Sequence, residues 1–226
     1  MKEQKIYKSE INSNNNMHPS DRNGSLDDSF IFIDSGFLSK LSKYFGGGKY
    51  LVYDIVKFSE NMAKKEKLNC KEIFYYTAPP FQSSNPTPQE KDRKDGYDTF
   101  IKKISKNIKI QIREGRCQKI INKEGYGIYS QKAVDSLMII DLMKIPLKYS
   151  QIKKIIMIAC DSDFVPVIEE LKKFGIKTTL FTYFTKKRET NFSRSTHLME
   201  VVNNYVRLSR DDFDNAPLNK KKEASK

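Results

Sequence analysis

Histidine occurs only twice in this chain of 226 residues, as His18 and His197. That scarcity argues against a zinc site built on imidazoles and against a Ser-His-Asp triad. Cysteine is scarce as well. Cys70, Cys117 and Cys160 are scattered and odd in number. They draw neither a disulfide framework nor zinc-ligand spacing, and a reducing, cytoplasmic setting is expected. Long apolar runs are missing: no stretch approaches the roughly 20 residues of a membrane span, and the polar start has no signal-peptide core. Hydrophobic residues make up 38%, which is low for a chain folded from end to end, so part of it is expected to be unstructured. Acidic residues are outnumbered, 28 against 41 Lys and Arg, which leaves a formal charge of +13. That excess points to a polyanionic partner, nucleic acid first and an anionic membrane surface second. A lysine-rich coat that merely solvates the surface is the competing explanation.

What is present is organised around one stretch. Ile155-Ile156-Met157-Ile158-Ala159-Cys160 carries no charge and runs into Asp161-Ser162-Asp163-Phe164. A short continuous apolar run reads as a strand buried on both faces, as in a parallel sheet. The helical spacing from Val165 to Phe174 follows, with Pro166 early in it and Asp163 or Ser162 as its cap. Phe30-Ile31-Phe32-Ile33-Asp34 repeats the pattern: a strand that ends in an aspartate. Residues 1–29 before it are Asn-, Ser- and Lys-rich and are expected to be disordered.

Further strands are expected over 71–77, 108–113 and 176–184, with a hairpin within 115–129 and a last apolar segment over 201–208. Helical patterns fall between them, including one from Gln131 that ends at Pro146. Gly46-Gly47-Gly48-Lys49 lacks the spacing and the Ser/Thr of a phosphate loop and reads as a plain loop. The polar tail from Ser209 ends in a lysine cluster. Alternating strands and helices in this order predict a three-layer α/β/α domain over 30–208, with a mainly parallel central sheet.

Open α/β sheets hold ligands at the carboxyl ends of their strands, where the strand order reverses. Asp34, Asp161 and Asp163 end strands, and Asp135 starts the helix that leads into the central one. Four carboxylates without His or Cys suit Mg²⁺ or Mn²⁺. Asp141, six residues after Asp135, cannot share its face of a helix with about 3.6 residues per turn.

Phe32-Ile33-Asp34, Gln131-Lys132-Ala133-Val134-Asp135 with Asp141 downstream, and Asp161-Ser162-Asp163-Phe164 resemble the NYN (LabA-like) branch of the PIN-like nucleases. That family shows "FID", "qKgvD" with a second acid six residues on, and "sGDsDF" in this order. The resemblance implies a PIN-like fold and metal-dependent hydrolysis of RNA, with Asp34, Asp135, Asp161 and Asp163 as catalytic and metal-binding acids. Asp141 and Lys132 would support them. The chain departs from the pattern at Phe37, where the family has Asn, at Cys160, where it has Gly, and at Asn203 and Asn204, near a further family acid.

Arg113, Arg116, Lys119, Lys186, Lys187, Arg188 and Arg194 are candidate contacts to a nucleic-acid backbone, and Tyr126, Tyr129 and Tyr183 candidate stacking platforms. Each is also readable as an ordinary surface cation or a partly buried ring. Two other functions compete: a catalytically weak RNA-binding module on the same fold, and a haloacid-dehalogenase-type phosphatase suggested by Asp161-Ser162-Asp163-Phe164-Val165. The phosphatase signature opens its domain, whereas here only the last third of the chain follows it. The sequence leaves homo-oligomerisation open.

Overall fold

The computed structural model describes residues 26–122, 125, 127–185, 192 and 196–218. Six parallel strands form the central sheet: β1 (Asp27–Asp34), β2 (Leu68–Thr77), β3 (Ile110–Glu114), β6 (Lys154–Ile158), β7 (Lys177–Thr182) and β8 (Asn204–Arg207). Their order is β3-β2-β1-β6-β7-β8. The chain therefore builds outward from β1 to β3, then returns to β1's other side with β6 and builds outward to β8. The order reverses between β1 and β6, the point at whose carboxyl edge open α/β sheets form their binding crevice.

Alternation along the strands explains the two helical layers. Ile31 and Ile33 face a core shared with α1 (Ser35–Phe45) and α2 (Ile55–Lys65), while Phe30 and Phe32 face one shared with α4 (Val134–Lys148) and α5 (Val165–Lys173). All four β1 side chains are fully buried, as a central strand covered on both faces requires. Helix α3 (Pro88–Ile104) begins with a complete capping box between Thr87 and Glu90. Strands β4 (Arg116–Ile121) and β5 (Gly127–Lys132) form a separate antiparallel hairpin. A short α6 (Thr196–Val201) and α7 (Arg210–Asp214) complete the described chain.

Four boundaries differ from the sequence reading. Strand β1 starts at Asp27, so residues 27–29 are ordered: Ser29 is fully buried because its backbone pairs with both β2 and β6. The chain beyond Leu208 forms α7, held by fully buried Phe213 and by a Lys65–Asp212 ion pair. Gln131 and Lys132 belong to β5 rather than to a helix. Helix α4 passes through Pro146, which lies in its last turn, so only two helical residues follow the hydrogen bond that it removes.

Candidate functional site

Asp34 is the last residue of β1 and the N-cap of α1. Its Oδ1 accepts the backbone N–H groups of Gly36 (2.8 Å) and Phe37 (3.2 Å), and Oδ2 accepts none among the described residues. Burial pushes its carboxyl above the ordinary range, and the charge of Asp135 adds to this; the Phe37 and Gly36 N–H groups and Lys40 pull the other way. Across the crevice, Asp161 follows β6 and caps a 3₁₀ turn (Ser162–Phe164), its Oδ1 accepting Asp163 N–H at 3.0 Å. The turn is anchored by fully buried Phe164. Asp161 caps only this turn; α5 itself starts from Phe164 with no side-chain cap, so neither Asp163 nor Ser162 caps it, and both Asp161 and Asp163 stand exposed.

Asp135 is the second residue of α4. Its carboxyl is also raised, by partial burial first and then by the charges of Asp161 and Asp163. Cys160 lies in the same field: burial, Asp34 and Asp161 push its thiol up to about 11. Asp135 therefore links the set: its charge acts on Asp34, and those of Asp161 and Asp163 act on it. As the side chains stand, no three His, Cys, Asp or Glu groups among the described residues close into a cluster that could hold a metal ion. Mutual repulsion between carboxylates is a sufficient reason for such an open arrangement.

Helix α4 enters the crevice under strain. Ala133, its N-cap, has φ 67° and offers no side-chain cap; this is the left-handed region that disfavours any residue with a Cβ. Beside it, Gly115 passes so close that an added Cβ would lie 2.4 Å from the Lys132 carbonyl oxygen. Two residues outside the set of candidate site residues also approach the acids. Lys40, on α1, acts electrostatically on Asp34 and Cys160. Gln131 Oε1 comes close enough that a Cβ on Gly36 would meet both it (3.3 Å) and Asp34 Oδ1 (3.1 Å). Gln131 was visible as part of its motif, whereas Lys40 carried no signal beyond its charge.

The remaining candidates divide. Asp141 stands apart from the other acids, buried and paired with Arg113, Lys144 and Tyr76. Arg113 is thus an ion-paired residue on the edge strand β3. Lys132 and Arg116 are register partners at the base of the hairpin. Further out, half-exposed Tyr129 lies beside Phe81, with Arg93 at 5.5 Å and Lys119 at 6.0 Å from its ring centroid. Tyr183 is corrected: it is buried among Tyr44, Phe45 and Phe192 with Arg207 at 4.9 Å from its ring, so no base can reach its face. Lys186, Lys187, Arg188, Arg194 and Tyr126 lie outside the described residues.

The stretch of chain that builds this sheet and carries these acids is matched by a family model. The NYN domain model covers residues 29–208. The chain belongs to the NYN domain family. Its fold is accordingly that of the PIN-like nucleases. Among solved structures, this NYN domain is similar to a protein of unknown function from Vibrio parahaemolyticus, with 13% identity and a TM-score of 0.51. That match covers 84% of this chain and 97% of the other. It supports the fold alone. A comparison with curated proteins gave no match. Among the described residues of the NYN chain, no helix is long and apolar enough to cross a membrane.

At the family's Asn position this NYN domain has Phe37, buried and edge-on to Phe192 with centroids 6.4 Å apart. It forms part of the aromatic core beside the site. Its backbone N–H still holds Asp34.

Proposed function

We propose that this NYN domain hydrolyses RNA phosphodiester bonds with Mg²⁺ or Mn²⁺ held by Asp34, Asp135, Asp161 and Asp163. The observation that supports the reading is the placement of four aspartates at the carboxyl edge where the strand order reverses, with Asp135 coupled electrostatically to Asp34, Asp161 and Asp163. The donor set fits the ion. Carboxylate oxygens suit hard divalent cations, and no His or Cys stands among these four ligands. A bound divalent cation supplies charge neutralisation at the phosphoryl group and lowers the pKa of water.

The chain's own residues do the rest. Asp34 and Asp161 are pre-oriented by the backbone N–H bonds to Oδ1, which leave each with a second oxygen for the ion. Lys40 tempers the negative field on the α1 side. Lys132 and Arg116, at the hairpin base, lie where phosphates approaching Asp135 would pass, and Lys119 with Tyr129 offers a charged stacking surface beyond them. Lys186, Lys187, Arg188 and Arg194, outside the described residues, are proposed as further backbone contacts from the sequence alone. Three free cysteines suit a cytoplasmic enzyme. The motif match to the LabA-like branch supports the same reading.

Labelled RNA and DNA panels, incubated with and without manganese, test this. Wild type should cleave RNA only with the metal, and Asp161→Asn should lose on the order of a hundredfold or more. Metal-independent cleavage, or full activity in Asp161→Asn, removes the assignment. RNA binding without any cleavage would leave the binding-module reading, and an acid-stable phosphate trapped on Asp161 the phosphatase one.

A further inference from the structure

Asp141 organises a second polar cluster that the acid crevice does not use. Its carboxylate accepts four hydrogen bonds. Arg113 Nε (2.7 Å) and the Tyr76 hydroxyl (3.1 Å) donate to Oδ2; Lys144 Nζ (2.7 Å) and Arg113 Nη2 (3.2 Å) donate to Oδ1. About four lone-pair positions are all a carboxylate has, so Asp141 is saturated and cannot also serve a metal. Burial, with Asp141 beside it, pushes the Tyr76 phenol far up, so it remains a donor at any working pH. The anion at the centre is 7% exposed, whereas the Arg113 and Lys144 side chains keep 34% and 38%.

The cluster carries two cations and one anion, a net positive charge facing outward. Arg113 uses two of its five donors on Asp141 and Lys144 one of its three, so both retain donors for another ligand. Their placement is fixed by the sheet. Asp34 pairs with Tyr76, and Tyr76 with Arg113, in one row across β1, β2 and β3. With neighbouring strands about 4.8 Å apart, Arg113 starts about 10 Å from Asp34 on the same face. Along α4, Asp141 is six residues, or about 9 Å, beyond Asp135. Two independent measures thus put the cations a short step from the acids, the reach of a phosphate next to the one being cut.

We propose that Arg113 and Lys144, pinned by Asp141 and Tyr76, form a phosphate subsite that grips the nucleic-acid strand beside the acid crevice. It rests on the nuclease reading above. It makes Asp141 and Tyr76 positioning residues, and it gives a strand a fixed direction across β3, β2 and β1.

The test is the salt dependence of binding of fluorescein-labelled single-stranded RNA to the full chain in EDTA. Arg113→Gln leaves Asp141 partnered by Lys144 and Tyr76, so folding should survive; Lys144→Gln is the companion. Each should lower the slope of log K against log salt by about 0.7 and weaken binding about fivefold near 0.1 M salt. Lys173→Gln, at the C-terminal end of α5 and paired with Glu170, should change neither. Asp141→Asn makes the face more positive, so a mere counter-charge would tighten binding on removal, whereas freeing the guanidinium should weaken it. Equal losses on 5′-hydroxyl and 5′-phosphate RNA assign an internal phosphodiester, and a loss confined to 5′-phosphate RNA a terminal one. Slopes unchanged in both cation variants, or tighter binding by Asp141→Asn, overturn the subsite while leaving the nuclease reading standing. Absence of RNA binding by the wild type removes both.

Discussion

At the scale of single residues, the site is held by backbone geometry as much as by charge. Ala133 occupies a left-handed conformation at the start of α4, at the position where the family motif carries glycine. Ala133→Gly should raise stability by about 1 kcal/mol, because it removes a Cβ penalty of about 1–2 kcal/mol against some gain in unfolded-state entropy. Urea unfolding of the two proteins checks this; equal midpoints contradict it. Phe37 presents the opposite case. Restoring the family's asparagine there would remove a buried ring from the aromatic core and leave an amide in its place. Phe37→Asn should cost about 3–5 kcal/mol of stability instead of improving catalysis, and a thermal midpoint near that of wild type would show that the ring is dispensable. The acids themselves were legible from sequence because each follows an apolar run or opens a helix. The burial of Asp141, the partners of Arg113 and the approach of Lys40 were not, since each depends on which strands become neighbours.

At the scale of elements, the strand-then-aspartate pattern of β1 and β6 was readable because both are buried on both faces and so appear as continuous apolar runs. What hid from the sequence were elements whose apolar content is small. Residues 27–29 are polar yet sit in a paired strand, and α7 is anchored by Phe213 with little else apolar. The start of α4 was misread since Gln131 and Lys132 are polar in strand and helix alike, and only the pairing with β4 decides. That junction is tight. Gly115 passes against Lys132 and Val134, and its own N–H donates to the Thr77 carbonyl at 2.8 Å. Gly115→Ala should shift the β5–α4 connection, lower stability by about 1–3 kcal/mol, and reduce cleavage per folded molecule by moving Asp135. Unaltered activity in a protein that remains folded would mean that Asp135 does not depend on this contact.

At the scale of the molecule, crowded carboxylates make stability depend on pH and on cations. Asp34 and Asp135 have folded pKa values raised chiefly by burial, then by neighbouring acids. A group with a raised folded pKa binds more protons folded than unfolded between the two values, so its contribution to stability falls as pH rises through that window. The window opens at about 4, the ordinary carboxylate value, and closes above the raised values. The metal-free wild type should therefore lose stability relative to Asp34→Asn as pH climbs from about 4, an effect that the charge of Lys40 partly offsets. A constant difference between the two proteins across pH contradicts this coupling. Manganese should act in the opposite sense, because it binds the deprotonated acids and gains affinity as pH rises. Thermal unfolding of the wild type and of Asp161→Asn at neutral pH, each with and without manganese, tests most directly that these acids share a cation. Manganese should raise the wild-type midpoint and leave that of Asp161→Asn nearly unmoved. A wild-type midpoint indifferent to manganese, or an equal rise in both proteins, contradicts the metal site at the crevice.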